Sequence, residues 1–192
     1  MFIDEKKYEG KPIIQGEKGY LEGTADCLKQ CVDWIREYDF NDYLEIGSLY
    51  GVMIAFLAKA FPDKRFSAID PYDSIVRPGN SLAGDRELKI FIGNNHFLDN
   101  VWLYRDYSRN VLPMLKEKGD RFDLIFVDGD HTHEAVLGDI AGSWEILVPS
   151  GILYFHDSPQ EGIAKAIKEH SEIIGLTPMK DKDSGNNFFR KP

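Results

Sequence analysis

The stretch Asn41 to Asp70 constrains the fold more than any other, because NDYLEIGSLYGVMIAFLAKAFPDKRFSAID reads as strand, glycine turn, helix and strand in immediate succession. Tyr43, Leu44 and Ile46 form a short apolar run that stops at Gly47-Ser48-Leu49-Tyr50-Gly51, and Val52 to Ala60 then carries apolar residues at helical spacing. Pro62-Asp63 closes that helix, and a second apolar run, Phe66 to Ile69, ends on Asp70. Two strands joined through one helix lie parallel, with a right-handed crossover. In open α/β sheets ligands bind beyond the carboxyl ends of the strands, where helix N-termini present bare N–H groups and glycine lets the backbone approach closely. The site is therefore expected at Glu45–Gly51 and Asp70.

The rest of the chain continues the alternation. Thr24 or Asp26 is placed to cap a helix reaching about Tyr38, and residues 1–19 read as an N-terminal extension, either a lid or a frayed end. After Asp70 the segment PYDSIVRPGNSLAGD has the composition of a functional loop, and part of the substrate pocket is expected there. Glu87 to Leu98 is a weak helix interrupted at Gly93-Asn94-Asn95. Val101 to Tyr104 is a short strand, Val111 to Lys118 a helix, and Phe122 to Val127 a buried strand. A helix over Glu134 to Leu147, a strand over Ile152 to Phe155 and a helix over Glu161 to Ile174 follow. The tail from Leu176 then offers two short strands around Lys182-Asp183-Ser184-Gly185. This pattern predicts an α/β three-layer sandwich over one domain, 1–192, with a mostly parallel seven-stranded sheet and one antiparallel strand near the C-terminus.

Composition narrows the class. A chain of 192 residues, 43% hydrophobic, can bury one substantial core but hardly two. With 23 Lys and Arg against 32 Asp and Glu the net charge is −9, which repels a phosphate backbone, so no nucleic-acid partner is expected. No apolar run is long enough to span a bilayer, and the charged segment MFIDEKKYEG does not read as a signal peptide. No membrane association and a cytoplasmic location are the expectations. Cys27 and Cys31 have a spacing that suits a metal or redox pair, yet no further Cys or neighbouring His completes a zinc site, so they read as packing residues.

The strand ends carry the chemistry. Leu49 occupies the position where a dinucleotide fingerprint needs its central glycine, so a pyrophosphate could not come close, which argues against NAD. Asp128 and Asp157 each follow an apolar strand, and two carboxylates meeting at one sheet edge repel unless a cation lies between them or one is protonated. Oxygen ligands with spare water positions suit Mg²⁺ or Mn²⁺. Against that stands a plainer arrangement, in which Asp157 caps the following helix. His131 lies three residues after Asp128, His156 precedes Asp157, and His133 reads as a solvated helix-start residue.

LEIGSLYG, the strand-end Asp70, YRDYS, FDLIFVDGDHTHEAVLGDI and PSGILYFHD, in that order, resemble the successive motifs of class I S-adenosylmethionine-dependent methyltransferases. The VDGDH segment and the HD strand end are similar to the small-molecule O-methyltransferase branch that includes macrocin-type sugar methyltransferases. The resemblance covers roughly residues 20 to 190 and implies a Rossmann-like fold binding S-adenosylmethionine. It implies that Glu45 and the Gly47 backbone face the amino-acid end, with Ser48 and Gly51 in the same turn. Asp70 would take the ribose hydroxyls, Asp106 and Tyr107 the adenine, and Asp128 would also touch the cofactor; for Asp106 a helix cap is an equal alternative. It further implies a metal, Mg²⁺ or Mn²⁺, at Asp128 and Asp157 with His156 beside them, and His131 as general base. The chain departs from the family at His156 and Ser158, where another carboxylate or Asn usually flanks Asp157, and at Ser150, where a Pro-Gly-Gly turn has glycine. The expected reaction is methylation of a hydroxyl on a small-molecule acceptor, a sugar or a phenolic compound, with homo-oligomerisation left open. The alternatives are a non-catalytic S-adenosylmethionine-binding module and a metal-dependent oxygenase-like relative on the same fold.

Overall fold

The computed structural model describes residues 18–73, 83–182 and 184–192. Its elements alternate as α1 (Lys18–Tyr38), β1 (Asp42–Ile46), α2 (Val52–Ala60), β2 (Arg65–Ile69), α3 (Ala83–Asn95), β3 (Val101–Tyr104) and α4 (Ser108–Lys118). They continue as β4 (Phe122–Val127), α5 (His133–Ile146), β5 (Leu147–Phe155), α6 (Glu161–Ile174), β6 (Met179–Lys180) and β7 (Asn187–Arg190). The seven strands form one sheet in the order β3-β2-β1-β4-β5-β7-β6. Strands β1 to β5 pair in parallel, and β7 runs antiparallel to both β5 and β6, so it is the one reversed strand. The order changes direction between β1 and β4, which makes the gap beyond their carboxyl ends the natural crevice.

Strand periodicity places a separate apolar layer on each face. Leu44 and Ile46 point toward Leu112, Val136, Ile140 and Ile163 of α4, α5 and α6, whereas Tyr43 points toward Cys31, Trp34 and Leu57 of α1 and α2. Each fully buried side chain of this size contributes roughly 1.5–3 kcal/mol of transfer free energy, so both helical layers are held on hydrophobic grounds. Cys27 and Cys31 are buried free thiols in the second layer, where burial raises the pKa of both. Among the described residues no helix is long and apolar enough to cross a membrane.

Several boundaries differ from those read in the sequence. Helix α1 begins at Lys18, so Thr24 and Asp26 lie inside it rather than at its start. Helix α3 runs through Gly93-Asn94-Asn95 because tertiary bonds hold that turn: Asn94 Nδ2 donates to the Tyr50 carbonyl at 2.7 Å and Asn95 Nδ2 to the Gly51 carbonyl at 3.1 Å. Helix α4 starts at Ser108 rather than Val111. Strand β5 starts at Leu147 and absorbs the expected turn, with Ser150 left-handed at φ 64 and the register against β4 shifting between Phe122 and Leu124. Residues 1–17, most of the loop expected at the substrate pocket (74–82) and Asp183 of the hairpin turn lie outside the described residues.

Candidate active site

Backbone hydrogen bonds carry the parallel ladder past the strand ends and so fix the site. Gly47 N–H donates to the Ile69 carbonyl, Asp128 N–H to Ile46 and His156 N–H to Val127, at 2.8, 2.8 and 3.0 Å. Asp70, Gly47, Asp128 and His156 thus stand in a row along one edge of the sheet. Gly47 has φ 85, and a Cβ there would overlap the Asp128 carbonyl, so only glycine lets the β1 turn lie against the β4 loop. Above this row opens a cavity of about 990 Å³ lined by Gly47, Leu49, Asp70, Tyr107, Asp128 and His156, among others.

Asp70 is pinned by the turn it faces. Leu49 N–H donates to its Oδ2 and Tyr72 N–H to its Oδ1, both at 2.9 Å, which holds the carboxylate in one orientation on the cavity wall. The Tyr72 hydroxyl in turn donates to the Leu49 carbonyl at 2.8 Å. The turn and the acid are locked together before any ligand arrives.

The second half of the site gathers around Asp128. His156 Nδ1 lies 2.9 Å from Asp128 Oδ1, and His131 Nε2 lies 3.6 Å from the same oxygen. Burial alone would raise the Asp128 pKa, but the hydrogen bonds of His131 and His156 outweigh it and hold the carboxyl below its usual range. The His131 pKa is raised, chiefly by its bond to Asp128. Gln160 Nε2 donates to Asp157 Oδ2 at 2.9 Å, which turns the amide oxygen toward His131 Nδ1 at 3.0 Å. Because an amide oxygen only accepts, Nδ1 of a neutral His131 carries the proton and Nε2 is left with the basic lone pair.

This donor set does not fit a divalent metal as arranged. Asp128 is engaged by an imidazole and Asp157 by the Gln160 amide. Ser158, next to Asp157, is buried and turned away: its hydroxyl donates to Asn186 Oδ1 at 3.3 Å and accepts from Asn187 N–H at 2.8 Å. Among the described residues no group of three or more His, Cys, Asp and Glu side chains is placed to hold a metal ion.

Not every expected residue reaches the cavity. Glu45, Ser48, Gly51 and Asp106 are absent from its lining, unlike Gly47, Asp70, Tyr107, Asp128, His131, His156 and Asp157. Glu45 shares a sheet face with Tyr43, whose hydroxyl donates to Glu45 Oε2 at 2.9 Å, and burial pushes its pKa up to about 8. Ser48 is buried with its hydroxyl 3.4 Å from the Tyr72 hydroxyl. Gly51 stands against helix α3, where a Cβ would overlap the Phe91 ring. Asp106 is exposed and accepts from Asn110 Nδ2 at 2.9 Å and Tyr107 N–H at 2.7 Å, bonds that lower its pKa, while α4 has Tyr107 at its N-cap and no side-chain cap bond. Tyr107 lines the cavity with its hydroxyl donating to Asp73 Oδ2 at 3.1 Å. His133 is not simply solvated, since its Nε2 lies 2.9 Å from Glu169 Oε2 of helix α6. Sequence reasoning missed Gln160, Ser108 and Asp139; the last two line the cavity.

A mostly parallel sheet with a glycine turn at its switch point, a pinned acid after β2 and an acid–imidazole group after β4 defines an α/β protein with an open cavity at the carboxyl edge of its sheet, where such folds bind ligands. A family model described as a methyltransferase domain matches residues 44–158, and the chain belongs to that family. A curated relative, an uncharacterized protein of Acanthamoeba polyphaga mimivirus, is 26% identical over 125 residues; the match covers 63% of this chain and 53% of that protein, so the chain spans about half the length of that relative. The fold is shared with CalS11, described as a TDP-rhamnose 3'-O-methyltransferase of calicheamicin biosynthesis: TM-score 0.62, 16% identity, 96% of this chain and 90% of that one. It is shared as well with the O-methyltransferase TomG from Streptomyces achromogenes, solved with S-adenosylmethionine: TM-score 0.56, 18% identity, 87% and 79% coverage.

Proposed function

We propose that the protein is an S-adenosylmethionine-dependent O-methyltransferase acting on a hydroxyl of a small molecule, a sugar or a phenolic compound. The observation that carries this reading is the locked pair of Asp70 and the Gly47 turn at the sheet's switch point, opposite the Asp128 group. The residues fit the cofactor: Gly47 and Asp70 line the cavity side by side, and a carboxylate there suits vicinal ribose hydroxyls. The similarity to CalS11 and TomG supports the same class of chemistry.

S-adenosylmethionine, when bound, supplies an electrophilic methyl group on sulfur. The protein's part is to hold the acceptor oxygen in line with that methyl and to take the proton the hydroxyl loses. His131 is the base. Its Nδ1 donates to Gln160, its Nε2 receives the proton, and the imidazolium so formed is stabilised by Asp128. His156 supports Asp128 from the other side. No step needs a metal. The acid–imidazole cluster of Asp128, His131 and His156 faces the cavity, which favours an enzyme over a purely binding module.

The test is incubation with methyl-labelled S-adenosylmethionine and a small-metabolite extract, followed by identification of any labelled product. A labelled methyl ether, formed by the wild type and lost in His131→Ala, is expected. Cofactor binding without methyl transfer to any component would return the protein to the binding-module class.

A further inference from the structure

The turn that carries Asp157 and Gln160 is tied to the far end of the chain. Ser158 is 1% exposed, and Asn186, in the connection between β6 and β7, is 7% exposed. Asn186 Oδ1 accepts from Ser158 N–H at 3.1 Å and from the Ser158 hydroxyl at 3.3 Å, while Ser158 Oγ accepts from Asn187 N–H at 2.8 Å. The other end of the Asn186 amide is held too, since Nδ2 donates to the buried Cys27 Sγ at 3.4 Å. Its backbone is fixed as well: the N–H donates to Ser184 Oγ at 3.2 Å, and the carbonyl accepts from Asp181 N–H at 2.9 Å.

What this latch holds is the peptide after Asp157. Asp157 is left-handed at φ 48, a conformation that a non-glycine residue keeps where its surroundings impose it, and the Ser158 N–H belongs to that peptide. Asp157 in turn directs Gln160. Its Oδ2 accepts from Gln160 Nε2 and its carbonyl from Gln160 N–H, both at 2.9 Å, and the amide so held faces His131 Nδ1 at 3.0 Å. Gln160 is exposed, so these bonds and not burial orient it. The start of α6 also lies hard against His131: a Cβ on Gly162 would be 2.3 Å from the His131 carbonyl oxygen. We infer that Asn186 is a positioning residue for the base: through Ser158 it fixes the Asp157 turn, and through that turn the Gln160 amide that keeps the proton on His131 Nδ1. This rests on His131 acting as the base and adds the distant residue that orients it.

The test is the nitrogen NMR spectrum of His131 in the intact protein, at a pH where the imidazole is neutral. No acceptor is needed, so the result stands apart from whether a methyl group is transferred. The wild type is expected to favour the Nδ1–H tautomer by about fivefold or more. Asn186→Ala, which removes the acceptor of both Ser158 bonds, should bring the two tautomers to within about twofold of each other. Asn186→Asp keeps an oxygen for Ser158 and should retain the wild-type ratio. Tyr154→Phe loosens the same hairpin elsewhere, where the Tyr154 hydroxyl donates to Asp181 Oδ2 at 2.5 Å, and should leave the ratio unchanged. A wild-type ratio in Asn186→Ala overturns the assignment, and so does an equal loss in Tyr154→Phe, which would make the effect one of hairpin stability. A wild type without the Nδ1–H preference overturns it together with the orientation of the base. Should Asn186→Ala fail to fold, Ser158→Ala decides: it removes the hydroxyl bond to Asn186, and a reduced preference supports the latch whereas an unchanged one overturns it.

Discussion

The Gln160 amide oxygen lies 3.0 Å from His131 Nδ1, and the nitrogen of the same amide donates to Asp157. Asp157 thereby fixes which way the amide faces, and the amide fixes which imidazole nitrogen is basic. Gln160→Leu should keep cofactor affinity, lower turnover by about tenfold, and lose the preference for the Nδ1–H tautomer in the nitrogen NMR spectrum of His131. An unchanged tautomer with unchanged turnover would show that the amide contact is incidental.

Removal of the base itself should be more damaging. His131→Ala is expected to lower turnover by about 10² to 10⁴ with S-adenosylmethionine binding nearly intact. Activity should partly return at higher pH, where the acceptor ionises unaided. If His156→Ala is inactive and His131→Ala is not, the base is His156, whose Nδ1 is the one on Asp128.

Glu45 gives a pH signature in stability rather than activity. Its folded pKa of about 8 lies above the unfolded value of about 4.3, so the native state holds the extra proton. The stability this provides is complete below about pH 4.3 and is lost as the pH rises through about 8. Glu45→Gln is permanently neutral and should gain on the wild type by roughly 2–4 kcal/mol between pH 5 and pH 8.5. Denaturant midpoints that move in parallel across that range would mean Glu45 is ionised in the fold.

Gly51 tests whether the turn serves packing. With φ 63 and the Phe91 ring where a side chain would go, Gly51→Ala should cost about 1–3 kcal/mol and lower the melting temperature, while cofactor binding by the folded fraction changes little. A melting temperature equal to that of the wild type would contradict the packing role.

Much of this molecule was legible because its signals are local. The switch from a period of two to helical spacing around Gly47–Gly51 reveals the first βαβ unit, and the strand-end positions of Asp70, Asp128 and Asp157 place all three on one edge. What stayed hidden depends on direction and on distant partners. Glu45 sits one residue from Ile46, and strand alternation sends it to the Tyr43 face, beneath rather than into the cavity. Asp139 reads as an ordinary polar position of a helix until the packing of α4 against α5 turns it toward the cavity. The α3 turn at Gly93-Asn94-Asn95 looks like a break because its stabilising bonds go to Tyr50 and Gly51, over forty residues away.

The central claim is that Asp70 and the Gly47 turn bind S-adenosylmethionine, and calorimetric titration tests it most directly. Micromolar affinity, about −8 kcal/mol, is predicted for the wild type. Asp70→Ala should weaken binding by about 1.5–3 kcal/mol through loss of charged hydrogen bonds to the ribose hydroxyls. Absence of heat at millimolar cofactor, or an Asp70→Ala variant that binds as tightly as the wild type, would contradict the account.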